Sequence, residues 1–577
     1  MPAITERVDL NGFSQSGAVE NSNPIDQPSN AVLQIVIDGS GLSASITPEA
    51  DGVVLQGDMS AVAGLSIINF PDAGISIESD FNFIRGNHLG VDASGMSAAG
   101  NQFGVLVNGS HNFIADRNVI SGNLDSGINV DAPIDALTSN SIRGNYIGLT
   151  AEGTSAIRNE RSGIVVANAN QTTIGGFVED ARNVISGHDG SVGFSGTGIS
   201  IGEGGKFNSI AASNDNVIRG NYIGTDRTGT VSVGNRIGVS LFAGSDNNLV
   251  GGTDSGAPNV ISGNTINGIG IGGTPFDDAE NNVVHGNLIG TDASGANPLG
   301  NQRDGIVLSN HAINTMVGGI LPNEANTIAF NGINGVNVIL MAMNNSIRGN
   351  NIRSNGNLGI EVSSIGFPSD GVTANDPDDI DSGPNGFQNY PENLVVGFGP
   401  STQVTGNLDS SPNSTFIVDF YFNTQLNASG RGEGELYLGS TTVTTDANGD
   451  ATFSAANLPP VSAGGFLTAT ATDEMGNTSE FSDTAVTQAT GSISGVKFED
   501  LNGNGSRAIG IQGDNPHVVF VVDVSGSSRG PFQGTPVGNQ NPDIDDISDS
   551  ILDAEIRAFE VLNERLESVL ALSLIHI

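Results

Sequence analysis

From Gly52 to Val362 apolar side chains fall at alternate positions in short runs, the two-residue period of a strand rather than the longer period of a helix. The tetrapeptide Gly-[Ile/Val]-x-[Ile/Val/Leu] opens at Gly52, Gly74, Gly104, Gly127, Gly163, Gly198, Gly238, Gly268, Gly305, Gly335 and Gly359. Between these copies runs Asn-x-[Ile/Val]-x-Gly-Asn or a near variant, at Asn82–Asn87, Asn140–Asn145, Asn216–Asn221, Asn282–Asn287 and Asn345–Asn350. A sister form, Asn-Val-Ile-Ser-Gly, starts at Asn118, Asn183 and Asn259. Self-similarity on this scale marks a solenoid, because one unit cannot bury its own apolar face and must stack on the next. The connections do not read as hairpin turns, so the stacked strands are expected to run parallel. One Gly-Ile-x-Val strand per rung, at about 4.8 Å each, gives a rod roughly 50 Å tall. Ile164, Ile199 and Val239 are predicted to point inward, and Val165, Ser200 and Ser240 to face out. Asparagine at a recurring corner can stack and hydrogen-bond from rung to rung.

Past Val362 the pattern changes twice. Gly371–Pro391 has turn chemistry and no repeat. From Glu392 to Thr487 the alternation is antiparallel in style, over Thr415–Phe422, Glu435–Thr445, Ala451–Ser454 and Phe466–Thr472, with a turn at Asp446–Asp450. That predicts a β-sandwich. Beyond it, His517–Ser528 reads as an apolar strand, and Ile551–Leu570 as an amphipathic helix with Leu552, Ile556, Phe559, Leu562, Leu566 and Val569 on one face. The expected organisation is an entry segment over 1–30, a β-helix over 31–390, a sandwich over 391–488, a linker-like segment over 489–515 and a last segment over 516–577. The fold class is all-β, with a truncated α/β segment at the end.

Charge narrows the choice of partners. The chain carries 62 Asp+Glu against 20 Lys+Arg, a formal net charge of −42. Such a surface repels nucleic acid and anionic lipid and suits divalent cations. With no cysteine, disulfides and thiolate metal sites are excluded. No run reaches the roughly 18 apolar residues of a membrane span. Met1–Ser16 lacks a basic region followed by an apolar stretch, so no signal peptide is visible.

The segments Gly86–Gly95, Gly220–Gly229 and Gly286–Gly295, with Asn259–Asn264, closely resemble the right-handed parallel β-helix repeat proteins of the pectin-lyase-like fold. The opening Asp9–Ala18 looks like that family's entry segment, which usually follows a signal peptide; the resemblance implies a chain that starts part-way into a longer one. Residues 392–487 resemble a bacterial immunoglobulin-like module. Gly491–Gly505 resembles the start of the B-type domains of serine-aspartate-repeat adhesins. Asp523-Val-Ser525-Gly-Ser527 is similar to the metal-ion-dependent adhesion site of a von Willebrand factor A domain, cut short here. These resemblances imply a bacterial protein that is secreted or displayed on the cell surface. They say little about chemistry, since this fold carries lyases, hydrolases, epimerases and non-enzymes alike.

Two functions compete. One is a non-catalytic extracellular scaffold or adhesin, with rod, sandwich spacer and A-type domain in series and a polysaccharide or surface protein as ligand. The other is a polysaccharide lyase or glycoside hydrolase built on the rod. Glycosidases need two carboxylates flanking one bond. The outward column of the Gly-Ile-x-Val sheet, from Val54 to Glu361, has only Glu361 as an acid. No catalytic residue is therefore assigned; His188, standing where the pattern has Asn, is the best lone candidate.

Calcium is expected instead. Asp376, Asp378, Asp379 and Asp381, with Asn385, crowd oxygen ligands into one turn. Asp500, Asn502 and Asn504 fit the first positions of an EF-hand-like loop, although Ile511 stands where its closing Glu belongs. Asp523, Ser525 and Ser527 would hold a divalent cation through the adhesion-site resemblance. Finally, Arg85, Arg143, Arg219, His285 and Arg348 follow the inward residue of successive Asn-x-Ile-x-Gly-Asn copies and so should share one outward column. Ser121, Ser186 and Ser262 are expected at the same point of the intervening rungs. That column is a candidate for acidic ligands, because guanidinium binds carboxylate bidentately; the competing reading is local charge balance.

Overall fold

The strands stack as the repeat predicts. A computed structural model of the chain describes residues 3–42, 49–131, 138–190, 196–204, 206, 212–365, 371–397 and 400–487. Three parallel sheets, each of 11 strands, run from Asp9–Asn11 to Ile360–Ser363 and make a parallel β-helix. The chain visits the sheets in turn. A first-sheet strand such as Phe83–Arg85 is followed by a second-sheet strand, His88–Leu89, and a third-sheet strand, Phe103–Val107. Each then pairs in parallel with its counterpart one rung on. The Gly-Ile-x-Val copies supply the third sheet.

The core is a continuous Ile/Val/Leu column inside the solenoid. Ile164, Ile199 and Val239 are fully buried and in register with one another. The alternate positions also stack in register, Val165 on Ser200 on Ser240. They do point away from the core, yet Val165 and Ser200 are buried, and only Ser240 keeps partial exposure. The third sheet's outer face is thus covered over part of its length, where sequence alternation predicts exposure. Alternation fixes which face a side chain takes; it cannot show what lies over that face.

Asparagines pin the corners. Between the first and second sheets, Asn87, Asn118, Asn145, Asn183, Asn221, Asn259, Asn287, Asn326 and Asn350 form an unbroken ladder, each Nδ2 donating to the next Oδ1 at 2.9–3.1 Å. A second ladder climbs from Asn101 to Asn355 between the second and third sheets. The side-chain amides also accept backbone N–H groups of the preceding rung, as Asn118 does from Asn87. Corner groups that would be orphaned in a dry interior are therefore satisfied.

The antiparallel region consists of a three-stranded sheet (Glu392–Gly397, Thr402–Asp409, Asp450–Leu458) and a four-stranded sheet (Thr415–Asn423, Leu436–Thr444, Phe466–Thr472, Ala485–Val486). Phe416, Val418, Phe420, Leu438, Phe453 and Leu467 fill the space between them. This unit is seated on the last rung of the solenoid and closes it. Tyr421 and Phe481 join the solenoid's own core cluster. Glu433 ends the second asparagine ladder, accepting from Asn355 N and Nδ2. Glu480 accepts from Val362 N, Tyr421 Oη from Gly349 N, and Asp419 holds Arg348 through both carboxylate oxygens at 2.6 and 2.8 Å. The serial spacer expected from sequence is, at this end, a cap. A pattern read along the chain could not show that Glu433, Glu480 and Asp419 turn back toward the rod.

Candidate functional site

The turn between solenoid and cap brings three of the predicted carboxylates together. Oxygen atoms of Asp376, Asp379 and Asp381 lie within 4.8 Å of one another. Asp378 and Asp379 both sit at positive φ, 62° and 53°, which folds the chain tightly enough to turn neighbouring carboxylates different ways. Asp379 is anchored: its Oδ1 accepts from Asn389 N and its Oδ2 from Ser410 Oγ. Burial raises its carboxyl to about 6, with Asp381 and Asp376 adding to the rise. Asp381 is raised too, by burial and then by Asp376. One oxygen of Asp376, Oδ1, is buried without a hydrogen-bond partner.

Asp378 stands apart from this group. Its amide donates to Asp409 Oδ1, and its carboxylate lies against Gly449 of the sandwich turn. Asn385 also leaves the cluster, because it is fully buried at the head of a third corner ladder. There it accepts from Asn345 N and donates to Asn345 O. The all-oxygen donor set, with one orphaned oxygen and mutual repulsion in the group, fits a hard cation such as calcium. Three carboxylates leave the remaining ligands of a calcium ion to backbone carbonyls and water. Asp500, Asn502, Asn504, Asp523, Ser525 and Ser527 lie outside the described residues, as do the segments resembling adhesin domains.

His188 occupies its asparagine's place in the second ladder. Its Nδ1 faces Asn235 Oδ1 at 2.9 Å and its Nε2 faces Asn159 Nδ2 at 3.1 Å, so a neutral ring donates to one and accepts from the other. Burial lowers it to about 4. With no exposed surface it is a structural rung, out of reach of any substrate in this state.

The basic residues do share one column of the first sheet, at every second rung. The register reads Arg85, Ala115, then Arg143, Gly175, Arg219, Gly251, His285, Gly318 and Arg348. Positions between the cations are Ala115, Gly175, Gly251 and Gly318, not the expected serines. Ser121, Ser186 and Ser262 lie past the second sheet, buried, with hydroxyls donating to Leu149, Thr225 and Thr291 carbonyls. The sister motif shares the asparagine corner but enters a different sheet, which sequence comparison of the two motifs conceals. Arg85 pairs with Glu20 and Arg348 with Asp419. Arg143 and Arg219 instead lie over the Phe113 and Phe177 rings at 5.9 and 3.7 Å. Both ends of the column are thus committed to local partners.

Glu361, the one acid of the third sheet's outward column, is fully buried, and its Oε1 accepts from Gly371 N. Sequence reasoning missed Glu433 as the end of the second ladder and Glu480 as the acceptor for the last third-sheet strand. The setting of Glu433 between Gly432 and Gly434 was the only signal, a place where backbone approaches closely. Among the described residues, no helix is long and apolar enough to cross a membrane. No family model matches the chain, and no curated protein matches it.

Proposed function

We propose that the chain is a non-catalytic extracellular or cell-surface scaffold, an adhesin-type rod with calcium at the joint between rod and cap. The observation that carries this reading is the seat of the antiparallel unit, whose Glu433, Glu480 and Asp419, with Asn385 of the preceding turn, take up groups of the solenoid's last rungs. A rod closed in this way is built for rigidity. The outward column of the third sheet, from Val54 to Glu361, offers one acid, and that acid is buried and bonded. In this reading the solenoid is right-handed, the sense parallel crossovers adopt almost without exception, and belongs with the pectin-lyase-like fold. The cap is an immunoglobulin-like module, and the segments after it are adhesin-like, the last an A-type segment with its own divalent cation. A polysaccharide or a surface protein is the ligand class proposed for the whole.

Calcium at Asp376, Asp379 and Asp381 would neutralise three carboxylates packed into one turn and favour the folded state by linkage. The melting temperature of the full chain should therefore rise in calcium relative to chelator at matched ionic strength; equal values contradict the site. Release of unsaturated uronate from pectin or alginate, with calcium present, is expected to be nil. Turnover that purifies with the protein would move the reading to a polysaccharide lyase.

A further inference from the structure

The described residues contain one lysine, Lys206, and its position is unlike that of an ordinary surface lysine. It follows the third-sheet strand Thr197–Ile201, yet its Nζ lies 2.5 Å from Oδ2 of Asp72, which precedes Ala73–Ile77 four strands earlier in the same sheet. The Asp72 side chain is 6% exposed and that of Lys206 22%. Beside Asp72, Ala73, Phe103 and Leu106 form a buried apolar cluster on the sheet's outer face. Asp72 keeps its backbone fixed there, its carbonyl accepting from Gln102 N and Phe103 N and its amide donating to Ala50 O.

A second carboxyl completes the group. Asp51 lies on the preceding rung, and its Oδ1 accepts from the amide of Ala73, the residue after Asp72. Burial, with a contribution from the neighbouring Asp72, raises Asp51 to about 6, so a proton is readily held at this carboxyl. An amine, a buried carboxyl and a second acid in a partly dry setting are the components of an uncatalysed-by-cofactor amide condensation.

We propose that Lys206 and Asp72 form an intramolecular isopeptide bond, with Asp51 as the proton-transfer residue. Within the ion pair a proton passes from Nζ to the Asp72 carboxylate, leaving a neutral amine and a carboxylic acid. The Nζ lone pair attacks Cγ of Asp72. Asp51 protonates the departing hydroxyl, which leaves as water, and its carboxylate takes up the proton released from the nitrogen. One C–N bond forms and one C–O bond breaks; one water is lost, and no oxidant, metal or cofactor is required. The bond would tie the segment after Thr197–Ile201 to the second rung of the third sheet, bracing the rod against unwinding. A loop-closing cross-link of this span also limits the unfolded chain, as a disulfide would in a protein that has none.

The test is mass spectrometry of the purified full chain, followed by peptide mapping. The wild type should be lighter than its sequence mass by one water, with a branched peptide joining Lys206 to Asp72. Lys206→Arg, Asp72→Ala and Asp51→Ala should each restore the full sequence mass. Lys206→Arg keeps the charge and the ion pair, so its folded circular-dichroism spectrum guards against loss by misfolding. A wild type at full mass overturns the proposal. So does a water loss that persists in Lys206→Arg, which would mark succinimide formation elsewhere. A bond that survives in Asp51→Ala would overturn the role of Asp51.

Discussion

The asparagine ladders set the strongest constraint at the residue scale. Asn183 is fully buried, accepts from Asn145 Nδ2 and donates to Ile142 O and Asn221 Oδ1. Asn183→Ala leaves buried partners unpaired on both neighbouring rungs and should cost about 1–3 kcal/mol per orphaned group, measurable by denaturant unfolding. His188 allows a sharper experiment. Its folded value of about 4 lies below the ordinary 6.5, so the unfolded chain binds the extra proton first as pH falls. Its contribution is present above pH about 6.5 and is lost as pH falls toward 4. His188→Asn restores the ladder residue and should flatten that part of the acid-stability curve; an unchanged curve would mean that His188 is not held neutral. These residues were legible in part. The repeat placed His188 at a ladder position, but nothing in a linear pattern reveals that the position is dry.

At the scale of elements, the joint between rod and cap is the part most open to attack. Arg348 and Asp419 are bonded through two oxygens, with Asp419 fully buried. Removing one partner leaves a buried charge unanswered, so Asp419→Ala should cost about 3–5 kcal/mol, whereas Arg143→Ala, with no ion pair among the described residues, should change stability by roughly 0.5 kcal/mol or less. Glu433 and Glu480 add a pH dependence of opposite sign to that of His188. Burial raises them to about 7 and about 8 from an ordinary 4.5. A raised carboxyl binds its proton more tightly in the folded state, so the stability it lends is complete below pH about 4.5 and is lost as pH rises through 7 and 8. The amides of Asn355 and Val362 should exchange faster at pH 8 than the intrinsic rate increase explains, and Glu433→Gln should remove part of that excess. The strands of both regions were legible because alternation is a local property. Their union was not, since Asp419 meets Arg348 across 71 residues of chain. The acid turn was half legible: composition singled out Asp376, Asp378, Asp379 and Asp381 with Asn385, but positive φ at Asp378 and the ladder's claim on Asn385 decided which oxygens converge.

At the largest scale described, residues 3–487, three 11-stranded sheets, the corner ladders and a docked antiparallel unit make a closed rod rather than a string of independent modules. The acid turn lies where that closure is made: Asp379 bonds Ser410 of the antiparallel unit, and Asn385 a few residues on caps the rod. Metal bound there would act on both sides of the joint at once. The measurement that tests this most directly is amide hydrogen exchange on the full chain, resolved by peptide, in calcium and in chelator at matched ionic strength. Chelation should deprotect residues 346–363 together with 402–409, while rungs between residues 160 and 290 keep their protection. Identical exchange in both conditions, or loss confined to residues 376–381, would contradict a calcium-held closure of the rod.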